Sequence, residues 1–221
     1  TGQRLGQIFG LVDEGLYNSW EEVNDANRPI SQWNSNKIQP GDIKYKDING
    51  DGVIDFNDEV PIGYSNFPEE VFGISLGANY KGFDFSVLFQ GASNVSFQYS
   101  RRQNRGFFEN SGALNYLLES WSPERVELGL PINFPRLTED GQLYNHSYQS
   151  STYWVEDGSY VRLKNAEIGY SLSDQALNAL RITSARFYIN GNNLITWSKL
   201  LPGIDPENTP LTTNNMCIRI A

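Results

Sequence analysis

An all-β chain of antiparallel strands is predicted by three features: apolar residues recurring with period two, a hairpin joined by two residues, and connections of very unequal length. The first strand candidate, residues 7–17, is broken by Asp13-Glu14-Gly15. Trp20-Glu21-Glu22-Val23 reads as a helical turn, and an acidic loop follows. The clearest strands cover residues 72–90. Phe72, Ile74, Leu76, Ala78 and Tyr80 share one parity, while Gly73, Ser75, Gly77 and Asn79 share the other. Lys81-Gly82 supplies the turn, after which Phe83, Phe85, Val87 and Phe89 alternate with Asp84, Ser86, Leu88 and Gln90. A two-residue turn sets Tyr80 opposite Phe83, Ala78 opposite Phe85 and Leu76 opposite Val87. The large apolar groups then fall on one face.

Further along, Ala113, Leu114, Leu117, Leu118 and Trp121 have amphipathic helical spacing, with Ser122-Pro123 as the expected stop. Residues 160–172 begin with Val161 and Leu163 on odd positions and continue with Ala166, Ile168, Tyr170 and Leu172 on even ones. That parity slip near Asn165 predicts a β-bulge. Ser173 is placed to N-cap a brief helix through Leu180. Residues 185–197 alternate again, with Phe187 and Ile189 against Arg186, Tyr188 and Asn190.

The links at 81–82 and 173–184 are short, whereas 18–70 and 92–152 are long and polar. Short turns alternating with long loops suit an outer-membrane barrel, and a soluble sandwich also accommodates them. Alternation alone leaves both open, because it does not say whether the apolar face meets lipid or a core.

Composition excludes other classes. The chain has 221 residues, 39% of them hydrophobic, which is enough to build a core. Its net charge of −9, with no basic run longer than Arg101-Arg102, works against nucleic acid. One Cys (Cys217) and one His (His146) rule out an internal disulfide and a Cys/His metal cluster. His146 lies in Tyr144-Asn145-His146-Ser147 and reads as a solvated loop histidine. No run approaches the ~20 apolar residues of a membrane helix, which leaves a β-barrel untouched. Glu119, Glu156 and Asp157 are available for glycoside hydrolysis, yet 26 acids produce such pairings by coincidence.

Residues 47–58, D-I-N-G-D-G-V-I-D-F-N-D, carry the ligand spacing of an EF-hand-type calcium loop. Asp47, Asn49 and Asp51 fill positions 1, 3 and 5, and Gly52 permits the sharp turn. Val53 offers its carbonyl, Asp55 acts through water, and Asp58 closes the loop. Ile54 is the apolar residue that pins such a loop to a core. Pro40-Gly41 and Pro61 leave no room for long flanking helices, so a single structural Ca²⁺ is expected rather than an EF-hand pair.

Several motifs together resemble the SusC/RagA family of TonB-dependent outer-membrane transporters. They are Pro40-Gly-Asp-Ile-Lys-Tyr-Lys-Asp47-Ile-Asn-Gly-Asp-Gly-Val-Ile-Asp55, Pro61-Ile-Gly63, the Tyr80-Lys-Gly-Phe83 hairpin, Trp154-Val-Glu-Asp-Gly-Ser-Tyr160-Val-Arg-Leu-Lys-Asn165, Gly169-Tyr170-Ser-Leu172, Gly191-Asn-Asn-Leu194 and Gly203-Ile-Asp-Pro-Glu207. They run in family order over residues 4–208. The resemblance implies that residues 1–221 are the C-terminal part of a transmembrane barrel of about 22 strands, with short helices in long extracellular loops. The plug and the N-terminal strands are then expected to be absent, and the 47–58 loop is inserted in an extracellular loop. It further implies import of glycans or peptides across the Gram-negative outer membrane, energised through TonB on the plug side, with a SusD-like surface lipoprotein as partner. The family's closing strand is expected to be absent or altered, since Thr212 to Ala221 reads T-T-N-N-M-C-I-R-I-A.

On this reading Phe72, Ile74, Leu76, Phe85, Val87 and Phe89 face lipid, while Ser75, Asn79, Asp84, Ser86 and Gln90 face the lumen. Tyr80, Phe83 and Tyr170 join the aromatic girdle on the periplasmic side. Loop aromatics are the expected substrate contacts, Trp121, Tyr153 and Trp154 first, with Phe107 and Tyr148 beside them. The alternative is a secreted, calcium-stabilised β domain that binds carbohydrate or protein. It accounts for the alternation and the acidic loop but not for the ordered motifs.

Overall fold

A computed structural model describes residues 2–33, 37–106, 112–138, 146–207 and 217–220. The chain divides into two units, residues 1–66 with 96–156, and residues 67–95 with 157–221.

The first unit is made of short strands tied by long-range side-chain contacts. β1 (Gln7–Gly10) is followed by β2 (Asp13–Leu16), so Asp13-Glu14-Gly15 lies inside a strand and not at a break. The strand is interrupted earlier, at Leu11-Val12, where Leu11 bridges to Ser151 and is completely buried. Among the described residues β2 pairs with β4 alone, in an irregular ladder. α1 (Trp20–Val23) starts where the Ser19 hydroxyl accepts the Glu22 N–H at 3.3 Å. β3 (Ile30–Ser31), β4 (Ile43–Tyr45), β5 (Val53–Ile54) and β6 (Val60–Ser65) follow. β1 pairs with β6 and β2 with β4, both antiparallel, while β3 and β5 are parallel.

After β7 (Glu70–Tyr80) and β8 (Phe83–Ser93) of the second unit, the first resumes with β9 (Ser96–Gln98) and α2 (Arg101–Asn104). The amphipathic helix expected over 113–121 is only a 3-10 segment, Asn115–Glu119. Ser122-Pro123 does not stop it but starts α3 (Pro123–Glu127). The Ser122 hydroxyl accepts the Arg125 N–H at 3.2 Å, and proline is preorganised for the first helical position. β10 (Val155–Asp157) pairs with β9. Leu11, Ile43, Ile54 and Trp154 are among the most buried side chains of this unit.

The second unit is one sheet in the order β13-β12-β11-β8-β7, the up-and-down order of a barrel wall. It adds β11 (Tyr160–Ser171), α4 (Asp174–Leu180), β12 (Arg186–Ser198) and β13 (Cys217–Ile220). The β7–β8 register is the expected one, with Tyr80 opposite Phe83 and Leu76 opposite Val87. Lys81 at φ 48° and Gly82 at φ 89° give the turn two left-handed residues, as a type I′ hairpin requires. The bulge is where the parity slips: Leu163 faces Phe89 and Asn165 faces Leu88, leaving Lys164 as the extra residue. Ser173 occupies the N-cap of α4 with an extended backbone, though its hydroxyl makes no capping bond. β13 is a final strand of four residues, short as an altered closing strand would be. It pairs with β12 from Ile189 to Asn192, using backbone groups that need no alternating sequence.

Register arranges the side chains in rows across β7, β8, β11 and β12. One face carries Tyr80–Phe83–Tyr170–Phe187, Ala78–Phe85–Ile168–Ile189, Leu76–Val87–Ala166–Gly191, Ile74–Phe89–Leu163–Ile195 and Phe72–Gly91–Val161–Trp197. The other carries Asn79–Asp84–Gly169, Gly77–Ser86–Glu167–Asn190, Asn165–Asn192 and Gln90–Arg162–Thr196, interrupted by Leu88 and Tyr188. The apolar face lies open: Leu76 is 56% exposed, Ile168 52% and Phe187 62%.

Candidate functional site

The polar face of the sheet is held by ion pairs. Arg186 reaches both Asp84 and Glu167, joining β12, β8 and β11. Arg162, 1% exposed, pairs with Asp205, with Glu207 at 2.8 Å, and donates to the Thr196 hydroxyl at 2.8 Å. Lys164 meets Glu207 at 2.6 Å. The segment after β12 is thereby fastened to β11 by the Gly203-Ile-Asp-Pro-Glu207 motif. A buried guanidinium is tolerated only with such partners.

In the first unit a buried polar cluster joins segments distant in sequence. His146, expected in solvent, is 4% exposed. Its Nε2 donates to the Ile43 carbonyl at 2.6 Å, and its Nδ1 accepts from the Ser31 hydroxyl at 2.8 Å. A carbonyl only accepts, which fixes the neutral tautomer with the proton on Nε2. Burial holds its pKa down at about 4 against the opposing pull of the Ile43 carbonyl and Asp42. Asp42 accepts from the Ser147 hydroxyl at 3.1 Å and pairs with Arg136 at 2.8 Å, and the Tyr45 hydroxyl donates to the His146 carbonyl at 3.1 Å. Ser31 and His146 touch, but both are enclosed and the second ring nitrogen is spent on a carbonyl. They are a structural pair, not a nucleophile and base.

The acidic loop closes on itself. Asp47 accepts from the Gly50 and Gly52 N–H groups at 2.6 and 2.8 Å. The Asn49 amide donates to Asp51 at 3.0 Å, and Asp51 accepts the Val53 N–H at 2.8 Å. Asp55 accepts from Asn57 at 2.7 Å. Asp58, expected to close the loop on an ion, is 0% exposed, and its oxygens accept from Ile48 at 2.8 Å and Asp55 at 2.9 Å. Among the described residues no three Asp, Glu, His or Cys side chains converge on one point. In this arrangement the carboxylates cap the loop's own amide groups, as in an Asx-type turn. Ile54 does anchor the loop, 2% exposed and paired through β5 to β3.

The aromatics expected at the substrate divide. Trp154 is 2% exposed, with its indole N–H on the Ser147 carbonyl at 2.8 Å and Tyr148 and Tyr153 against its ring at 5.9 and 5.0 Å. It has no face left for a sugar and serves as a core anchor. Tyr153, half-buried, donates to the Asn133 carbonyl at 3.0 Å, and burial pushes its phenol pKa up. Trp121, also half-buried, lies on Gly41, where a Cβ would come within 2.5 Å of the ring. Phe107 lies outside the described residues. A cleft of about 410 Å³ opens around Tyr17, Arg28, Lys44 and Lys46, with Glu14 and Asp25 among its acids. The Tyr17 ring has Arg28 at 5.9 Å and Lys44 at 5.6 Å. No motif marks it, since its residues come from separate turns.

Known proteins match this arrangement. The chain is 32% identical over 219 residues to TonB-dependent receptor P26 of Formosa agariphila, covering 98% of this chain and 20% of that protein. It is 29% identical over 218 residues to TonB-dependent receptor P3 of the same organism, covering 97% and 20%. It is 28% identical over 175 residues to TonB-dependent receptor SusC of Bacteroides thetaiotaomicron, covering 76% and 16%. Among solved structures, the RagAB peptide transporter superposes with a TM-score of 0.61 at 22% identity, over 94% of this chain and 21% of that one. The RagAB peptide importer in its 'closed-closed' state gives 0.59 at 22%, over 94% and 21%. No protein-family model matches. The chain spans about one fifth of the length of these receptors. With its five-stranded wall and its ordered motifs, the chain is similar over most of its own length to one portion of the TonB-dependent receptors, SusC and the RagAB transporter among them.

Proposed function

We propose that the chain forms part of the wall and the extracellular connections of a Gram-negative outer-membrane importer. The whole receptor takes up oligosaccharides or peptides, is energised through TonB, and works with a SusD-like surface lipoprotein. The carrying observation is the two-faced sheet. Its apolar rows run nine residues from Phe72 to Tyr80, about 27 Å along the strand, comparable to the apolar band of an outer-membrane barrel. A water-soluble domain rarely leaves so large an apolar face open, which counts against the secreted β-domain reading. Calcium at residues 47–58 rests on ligand spacing alone and is not needed here.

Between the two substrate classes, the cleft around Tyr17 favours a charged peptide. The ring is 4% exposed beside two cations, so it offers no sugar platform, while carboxylates and cations line the same space. The test uses the full receptor in its host. It should fractionate with the outer membrane and take up labelled oligopeptides, and uptake should stop when TonB is deleted. A receptor in the soluble fraction, or uptake indifferent to TonB, would contradict the importer. Uptake of oligosaccharide in place of peptide would overturn only the substrate class.

A further inference from the structure

The 47–58 loop contains two dipeptides whose chemistry is labile in water, Asn49-Gly50 and Asp51-Gly52. In each, the glycine nitrogen can attack the Cγ of the preceding side chain. The new N–Cγ bond closes a succinimide ring, and the nitrogen's proton leaves with ammonia from asparagine or with water from aspartate. Water then opens the ring to aspartate or to isoaspartate, which routes the main chain through the side-chain carbon. Glycine has no Cβ to hinder that attack. All four residues are exposed, and nothing lies within 4 Å of where a Cβ of Gly50 or Gly52 would stand. Neither solvent access nor crowding therefore opposes the reaction. Both attacking nitrogens are nevertheless occupied, and by one side chain. Asp47 Oδ1 accepts the Gly50 N–H at 2.6 Å, and its Oδ2 accepts the Gly52 N–H at 2.8 Å. The groups under attack are held as well. Asn49 donates to Asp51 at 3.0 Å and accepts the Asp51 N–H at 2.9 Å, while Asp51 accepts the Val53 N–H at 2.8 Å.

We propose that Asp47 guards this loop against succinimide formation at both Asn49-Gly50 and Asp51-Gly52, by holding the two attacking nitrogens in their protonated form. Attack requires the amide to give up its proton. A carboxylate beside it disfavours the resulting anion, and a charge-assisted bond must break before the nitrogen turns toward Cγ. Carboxylates are far too weak as bases to take an amide proton themselves. The guarded bonds matter because of what adjoins them. The Gly52 carbonyl accepts the Ile30 N–H at 2.9 Å, and Val53 and Ile54 pair as β5 with β3. Isoaspartate at position 49 or 51 adds a methylene to the main chain and displaces that pairing.

The test is peptide mapping by mass spectrometry of the full receptor, stored at neutral pH in EDTA so that no divalent ion substitutes for Asp47. Deamidation at Asn49 is read from the mass difference between amide and acid, and isoaspartate at either position from electron-transfer fragments. Asp47→Ala should speed conversion at both positions by about tenfold, the weight of a hydrogen bond to a charged acceptor. Asp55→Ala frees Asn57 in the same loop but leaves Asp47 in place, so it should match the unmodified receptor. In urea, where Asp47 is no longer positioned, the unmodified receptor and Asp47→Ala should convert at one rate. Equal rates in the folded receptors, or slower conversion in Asp47→Ala, would overturn the guard. So would the same acceleration in Asp55→Ala, or a difference that persists in urea.

Discussion

His146 and Asp58 show how individual residues hold the first unit together. His146 is neutral because the buried site solvates its cation poorly, so its pKa falls from 6.5 to about 4. Between those values the unfolded chain binds a proton that the folded chain does not. Its contribution is therefore complete above pH ~6.5 and lost as pH falls toward 4, a change of up to about 3 kcal/mol. Hydrogen exchange at Ile43 and Ser147, corrected for intrinsic rates, should show protection falling through that window. In His146→Gln the dependence should flatten, and an unchanged slope would remove His146 as its source. Asp58→Ala leaves the Ile48 and Asp55 N–H groups without their acceptor and should cost about 2–4 kcal/mol. That cost should be the same in chelator and in millimolar calcium, read by protease resistance of the loop. A cost seen only with calcium would favour the ion-binding expectation. Neither burial was legible in the sequence. His146 meets Ser31 and Ile43 across more than a hundred positions, and the polar residues around it read as a loop.

Strands were the most legible elements, for a definite reason. A two-residue turn fixes register, and a single extra residue inverts parity, so both the hairpin and the bulge at Lys164 show in the alternation. β12 carries a further irregularity that parity cannot reveal. Leu163 faces Ile195 and Asn165 faces Asn192, so Asn193 and Leu194 enter together and leave the alternation unchanged. Asn193 is left-handed at φ 53°, which asparagine tolerates. Deleting Lys164 should turn Val161 and Leu163 toward the polar face and abolish assembly of a heat-resistant barrel. Lys164→Ala, which removes only its contact with Glu207, should still assemble. Assembly of the deletion variant would show that the bulge does not set the faces. The short helices were less legible, because Ser-Pro marks a start as well as a stop. The first unit's short strands depend on partners far along the chain.

For the whole molecule, the decisive property is which side of the sheet meets lipid. The wall, its order and its two faces follow from register. The cleft around Tyr17 arises only when separate segments meet, so no linear motif announces it. The most direct test places spin labels in the full receptor, reconstituted in bilayers with Cys217 changed to Ser. Ile168→Cys carries a label on the apolar rows, and Ser86→Cys carries one on the polar rows. The first label should be relaxed by oxygen dissolved in lipid and the second by a water-soluble nickel chelate. Reversed accessibilities, or both labels responding only to the aqueous reagent, would contradict this assignment of faces.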